Sequence, residues 1–212
     1  MPGQPVTVGS GELVDIEASL DACARQNAGG AVKVAEDLAR YEHIIATTRP
    51  EVIVECGTWM GGSARWFLTQ PGVAEVVTVD VSLDSLRLPE PIRPVVGDSA
   101  DPSVAARVRA LVNGRRCMVS LDSDHSAAHV AREIELYGPL VTPGCHLVVE
   151  DGIARWMSAE HHANGSPLDA IEALLMDNPA WRRDEHTEAM FPVSMSPAGW
   201  WTKHLKEVTD GD

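Results

Sequence analysis

Apolar positions along this chain fall into two interleaved patterns. Short runs rich in Val, Ile and Cys recur at residues 51–56, 73–80, 92–96, 117–121 and 145–149. Each is bounded by Gly, Pro or acidic residues, which predicts five β-strands. Between them the spacing changes to that of a helix. Val34, Leu38, Tyr41, Ile44 and Ile45 form one apolar face over residues 31–47, and Pro50 ends the element. A second helix is predicted over residues 63–69, closed by Pro71-Gly72. A third opens at Asp101-Pro102, where Asp suits the N-cap and Pro the first turn. The segment 126–143 reads as a helix followed by a Pro-Gly turn, and Ser166-Pro-Leu-Asp169 starts a capped helix running to about residue 177. Two last runs, 181–190 and 198–203, suggest a terminal antiparallel hairpin. Strands alternating with helices predict one α/β domain, a mostly parallel sheet wrapped on both faces. Residues 1–30 are Gly- and Ala-rich without a clear period, and are expected to be an arm or marginal helix preceding a single domain over 31–212.

The strand ends carry the candidate chemistry. All five of the first five strands stop at or beside an acid: Glu55, Asp80, Asp98, Asp122 and Glu150. In an open α/β fold these ends share one sheet edge, where ligands bind. The first strand runs into Glu55-Cys-Gly57-Thr-Trp-Met-Gly61-Gly62-Ser63, a glycine turn that lets backbone approach a ligand and aims amides at an anionic or carboxylate-bearing group. Its spacing is not the G-x-G-x-x-G of dinucleotide binders, which disfavours a nucleotide-cofactor oxidoreductase. Asp80, about 20 residues on, is placed to hydrogen-bond ribose hydroxyls. Asp98 and Ser99 are placed to meet a nucleobase, and Trp59 to touch the other end of such a ligand. A βαβ crossover is nearly always right-handed, so the fourth and fifth strands should bring Asp122, Glu150 and Asp151 together. Three crowded carboxylates repel unless a cation or proton joins them, which predicts a metal site.

Charge and composition narrow the alternatives. The chain has 212 residues and a formal net charge of −14, which argues against nucleic-acid or anionic-membrane partners. No apolar run is long enough to span a bilayer, and residues 1–5 lack signal-peptide character, so a cytoplasmic protein is expected. Cys23, Cys56, Cys117 and Cys145 have no metal-binding spacing and are expected to be buried and free.

The motifs ECGTWMGGS (55–63), VTVDV (77–81), VVGDS (95–99), LDSDHSAAHV (121–130), YGPLVTPGCHLVVED (137–151) and SPLDAIEALL (166–175) together resemble the class I S-adenosylmethionine (SAM)-dependent methyltransferases. More closely, the chain resembles the cephalosporin hydroxylase / rhamnosyl O-methyltransferase family. The resemblance implies a Rossmann-like, seven-stranded sheet and methyl transfer rather than oxygen insertion. It implies SAM over the early strands, near Glu55, Gly57, Trp59, Gly61, Gly62, Ser63, Asp80, Asp98, Ser99 and Asp122. It also implies Mg²⁺ held by Asp122, Glu150 and Asp151.

Carboxylates without a Cys partner suit that hard ion, with Mn²⁺ a possible substitute. The expected acceptor is a small-molecule hydroxyl, such as a sugar on a glycolipid or glycosylated natural product. The alternative weighed is a non-catalytic SAM-binding scaffold, and a homo-oligomer is compatible with either. His125 is the candidate general base, with Asp122 beside it, because imidazole titrates near neutrality. Asp124 is expected to face solvent. Arg155, Trp156, His161 and His162 are candidates for the acceptor pocket, whereas Trp200 and Trp201 are expected in the core.

Overall fold

A computed structural model describes residues 14–29, 33–83, 86–157 and 163–204. The five predicted strands are β1 (Val52–Cys56), β2 (Glu75–Asp80), β3 (Ile92–Val96), β4 (Cys117–Leu121) and β5 (His146–Val149). Two more, β6 (Trp181–Arg183) and β7 (Trp200–Lys203), complete a sheet of order β3-β2-β1-β4-β5-β7-β6. The first five are parallel, β7 is antiparallel to β5, and β6 is antiparallel to β7. This is the mostly parallel, seven-stranded architecture that was expected, with the C-terminal hairpin in place.

The helices are α1 (Ile16–Gly29), α2 (Ala35–Thr48), α3 (Gly62–Leu68), α4 (Pro102–Val112), α5 (Ala127–Tyr137), α6 (Pro167–Leu174) and the short α7 (Glu185–Glu188). Alternation along β1 separates the two faces. Val52, Val54 and Cys56 pack with Val104, Val108, Val130, Ile134 and Ile171 of α4, α5 and α6. Ile53 points the other way, to Tyr41, Ile44 and Ile45 of α2 and Phe67 of α3. Both faces are covered, so the strands read as nearly continuous apolar runs. Trp200 and Trp201 are buried in the core, as are all four free cysteines. Among the described residues no helix is long and apolar enough to cross a membrane.

One expected strand is shorter than its pattern suggested. The run 181–190 is strand only to Arg183, because Asp184 ends it: its carboxylate accepts from the Thr187 amide (3.1 Å) and hydroxyl (2.7 Å) and starts α7. The last predicted helix is also shorter, ending at Leu174 rather than near residue 177. At its start Asp169 takes both the Ser166 amide (2.6 Å) and hydroxyl (2.8 Å).

A third small core joins α1 to the chain after β5, through Ile16, Ala22, Cys23, Val34, Ile153 and Met195. The fastening beside it is Arg40, which is fully buried on α2. Its five N–H donors all find acceptors: Asp37 Oδ1 and the carbonyls of Thr187, Glu188, Phe191 and Val193. Asp37 in turn accepts from the Ser194 hydroxyl and the Met195 amide, each at 2.7 Å. Removing one member of such a group leaves a buried charge without compensation. We therefore expect Arg40→Met to lower stability by about 3–5 kcal/mol, measured by urea denaturation. A loss below about 1 kcal/mol would show that the network is only as valuable as a surface pair.

Candidate active site

The sheet order reverses at β1, which lies between β2 and β4. Ligand sites in such sheets open beyond the strand ends at this switch point. A cavity of about 920 Å³ lies there, lined by Gly57, Trp59, Gly62, Ser63, Asp80, Asp98, Ser99, Asp122, His125 and Asp151 among others. Of the expected cofactor residues, only Glu55 and Gly61 are outside its lining. Glu55 is wholly buried in β1, where Oε2 accepts from the Thr78 hydroxyl (2.7 Å) and Oε1 has no partner. Burial pushes its pKa up to about 7, against the charge of Lys33. Gly61 precedes α3 with a positive φ of 69°.

Gly57 is dictated by its neighbour. Its φ is +94°, and a Cβ there would lie 1.8 Å from the Asp122 carbonyl oxygen. The ends of β1 and β4 are joined at this point, because the Asp122 amide donates to the Cys56 carbonyl at 2.8 Å. The next two amides, which precede the helix start, are already engaged. Those of Thr58 and Trp59 both donate to Asp80 Oδ2 at 2.9 Å, so the acid ending β2 fastens the glycine turn. Asp80 Oδ1 accepts the Ser82 amide (3.2 Å), and Asp80 lines the cavity. Trp59 is held at φ 44°, lines the cavity and is 68% exposed.

Asp122, Glu150 and Asp151 do converge, but they are not equivalent. Glu150 is buried and engaged: Oε1 accepts from the Tyr41 hydroxyl (2.7 Å) and Ser120 hydroxyl (2.6 Å), and Oε2 from Lys33 Nζ (2.6 Å). Lys33 Nζ also donates to Asp122 Oδ2 at 2.8 Å. On the other side, His125 Nε2 lies 3.2 Å from Asp151 Oδ2 and 3.7 Å from Asp122 Oδ1. The side chains whose ligand atoms group together are Asp122, His125 and Asp151, all within 4.8 Å of one another. The two carboxylate oxygens suit Mg²⁺ or Mn²⁺, whereas an imidazole nitrogen is a donor such hard ions take less readily, so Asp122 and Asp151 are the members of the group that fit them.

The charges are strongly perturbed. Burial works against the Lys33 ammonium, yet Asp122 and Glu150 hold its pKa well above the ordinary value. Burial would raise Asp122, but Lys33 above all, then His125, draw it below the usual carboxylate range. Burial and then the charge of Asp122 push Glu150 up to about 7 and Asp151 up to about 6. His125 loses by burial and gains more from its pairing with Asp122 and the charge of Asp151, reaching about 9.

Other expected residues are more ordinary. Asp124 is exposed and caps the Ser126 amide at 2.8 Å. Arg155 is paired with Asp169 (2.8 Å) and Glu172 (2.7 Å) on α6, and Trp156 packs partly buried against the core. His161 and His162 lie outside the described residues. Sequence reasoning missed Lys33, Tyr41 and His129. Lys33 sits between two valines, a local sign that its charge is buried. Tyr41 was counted only as part of an apolar face. His129 lines the cavity, 2.9 Å from the Ser99 hydroxyl and 3.5 Å from the buried Glu133.

The strand order, the glycine turn closed by Asp80 and the acids beyond β4 and β5 define a class I SAM-dependent methyltransferase fold. Residues 28–204 match the family model described as "Rhamnosyl O-methyltransferase/CmcI". A rhamnosyl O-methyltransferase of Mycobacterium tuberculosis is 34% identical over 179 residues, covering 79% of this chain and 73% of that protein. The Mycobacterium leprae rhamnosyl O-methyltransferase is 30% identical over 181 residues, covering 80% and 78%. The chain belongs to this family and is an O-methyltransferase by class. Among solved structures, a CmcI form with Mg and SAM superposes with a TM-score of 0.59 at 19% identity, covering 82% of this chain and 73% of that one. A MycE methyltransferase complex with Mg, SAH and mycinamycin VI gives 0.53 at 24% identity, covering 64% and 41%. At these identities the two structures bear on the fold alone.

The charge arrangement is testable in the metal-free protein. The stability His125 gains from its carboxylate partners is fully present below its ordinary pKa of 6.5 and lost as pH rises through about 9. In EDTA, the His125 imidazole should titrate by NMR near 9, and Asp122→Asn should shift that midpoint downward. A wild-type midpoint near 6.5 would contradict the pairing.

Proposed function

We propose that this chain is a Mg²⁺-dependent enzyme that transfers the methyl group of SAM to a sugar hydroxyl, of the rhamnose type, on a glycosylated small molecule. The observation that carries the reading is the Asp122–His125–Asp151 cluster at the end of a cavity built on the glycine turn. At about 920 Å³ the cavity is at the upper end of the range for small-molecule sites, roughly 300–1,000 Å³. The names of the curated relatives favour a rhamnosyl acceptor.

Asp122 and Asp151 are assigned as ligands of the ion, with Glu150 behind them. Gly57, Gly62 and Ser63, with Asp80, Asp98 and Ser99, are assigned to the cofactor, where the glycine turn bars a side chain from the floor. Glu55 is assigned a place beneath that floor, where its Oε1 is buried without a hydrogen-bond partner. When bound, the sulfonium supplies an electrophilic methyl group and the metal ion lowers the pKa of the acceptor hydroxyl. His125 is the general base in its neutral form: while Nε2–H pairs with Asp151 the imidazole stays protonated, and it would take up the hydroxyl proton only once an ion shares Asp122 and Asp151. The protein's larger contribution is alignment, because nucleophile and methyl group must meet in line. Trp59, at the mouth, screens the cofactor side from water.

Calorimetry with Mg²⁺, and methyl transfer from SAM to rhamnosylated acceptors with and without EDTA, test this reading. Asp122→Asn should abolish Mg²⁺ binding and turnover. His125→Ala should lower kcat by roughly 10²-fold or more with little change in SAH affinity. Unchanged metal binding in Asp122→Asn, or turnover indifferent to EDTA, would refute the metal assignment.

A further inference from the structure

Lys33 occupies a position where a lysine is seldom placed. Its side chain is only 4% exposed, and Nζ lies between Asp122 Oδ2 at 2.8 Å and Glu150 Oε2 at 2.6 Å. The Tyr41 ring stands beside it, its centroid 5.9 Å from Nζ. Burying an ammonium is costly unless partners compensate, and two carboxylates and an aromatic face do so here. The same two carboxylates belong to the acidic group that a divalent cation would share. Glu150 has no idle oxygen: Oε1 serves two hydroxyls and Oε2 serves Lys33. Asp122 is divided, with Oδ2 toward Lys33 and Oδ1 toward His125.

We propose that Lys33 is an internal competitor for the metal ion. Its ammonium holds Glu150 and one oxygen of Asp122, so a divalent ion that takes up this acidic group does so by displacing Lys33. Lys33 is thereby a positioning residue that sets metal affinity through the two acids it holds. The device is also tied to the fold, since Lys33 directly precedes Val34, the N-cap of α2, and Tyr41 of the same helix donates to Glu150. Displacing the ammonium therefore acts just ahead of the helix that carries Tyr41, one of the three partners of Glu150. This inference rests on the Mg²⁺ reading above.

Two measurements on the full chain test it. In calorimetry, Lys33→Met should bind Mg²⁺ roughly tenfold more tightly than wild type, because a like charge beside the ion is removed and Glu150 is released. Equal or weaker binding by folded Lys33→Met overturns the proposal. The second measurement uses the wild type and needs no variant to fold. The chain has three lysines, Lys33, Lys203 and Lys206, so reductive methylation followed by peptide mass spectrometry reports on Lys33 individually. Lys33 should resist methylation in EDTA and become reactive at saturating Mg²⁺. Equal protection in both conditions, while calorimetry shows Mg²⁺ bound, overturns the competition. If neither wild type nor Lys33→Met binds Mg²⁺, the metal reading fails and this inference fails with it.

Discussion

Repulsion among carboxylates at adjacent strand ends is the constraint from which much of this structure follows. Two like charges about 4 Å apart near a protein surface cost about 4 kcal/mol at an effective dielectric of about 20, and this site gathers three. The chain answers with two cations of its own, Lys33 on one side and His125 on the other. Delivering Lys33 requires the chain before α2 to pass over the carboxyl edge of the sheet. The same approach brings Tyr41 down onto Glu150. The N-terminal part of the structure is therefore placed by the electrostatics of the site as well as by apolar packing. Arg40 and Asp37, one turn apart on α2, fix that helix to the C-terminal loop and hold the approach in register.

Main-chain contact is the second determinant. Gly57 and the Asp122 carbonyl are so close that no side chain fits between them, and Asp80 gathers the two amides that follow Gly57. The glycine turn, Asp122 and Asp80 thus form one interlocked unit at the ends of β1, β4 and β2. A shift in any one strand end moves all three groups together. Such a unit gives up adaptability for alignment, which suits a reaction in which geometry is the protein's main contribution.

Much of this was legible in the sequence, for identifiable reasons. Strands buried on both faces give continuous apolar runs, and those runs ended at or beside acids of which Asp80, Asp98 and Asp122 line the cavity. The glycine turn was visible because glycine is needed where backbone meets backbone. What could not be read were contacts over long separations. Lys33 meets Asp122 and Glu150 across 89 and 117 residues, and no local period encodes that meeting. Tyr41 fitted a helical apolar face so well that its hydroxyl drew no attention. The division of 181–190 into a strand and a short helix depends on Asp184, whose role as a cap is decided by its hydrogen bonds and not by hydropathy. Equal weight on Asp122, Glu150 and Asp151 was natural from the motif alone, but the structure separates an engaged Glu150 from the open pair.

That separation bears on how the base can work. His125 is held protonated by Asp122 and Asp151, the same groups assigned to the ion, and a protonated imidazole accepts nothing. The two cations compete for the same negative charge, so His125 is a weaker proton holder when those carboxylates are shared. Metal occupancy and a neutral imidazole are then linked states of one site, as expected where ligands and titrating groups are coupled. Lys33 enters that balance from the other side, because it neutralises Glu150 and half of Asp122 without touching His125. Its presence keeps the acidic cluster tolerable without an ion, while leaving the face toward the cavity governed by Asp122, His125 and Asp151.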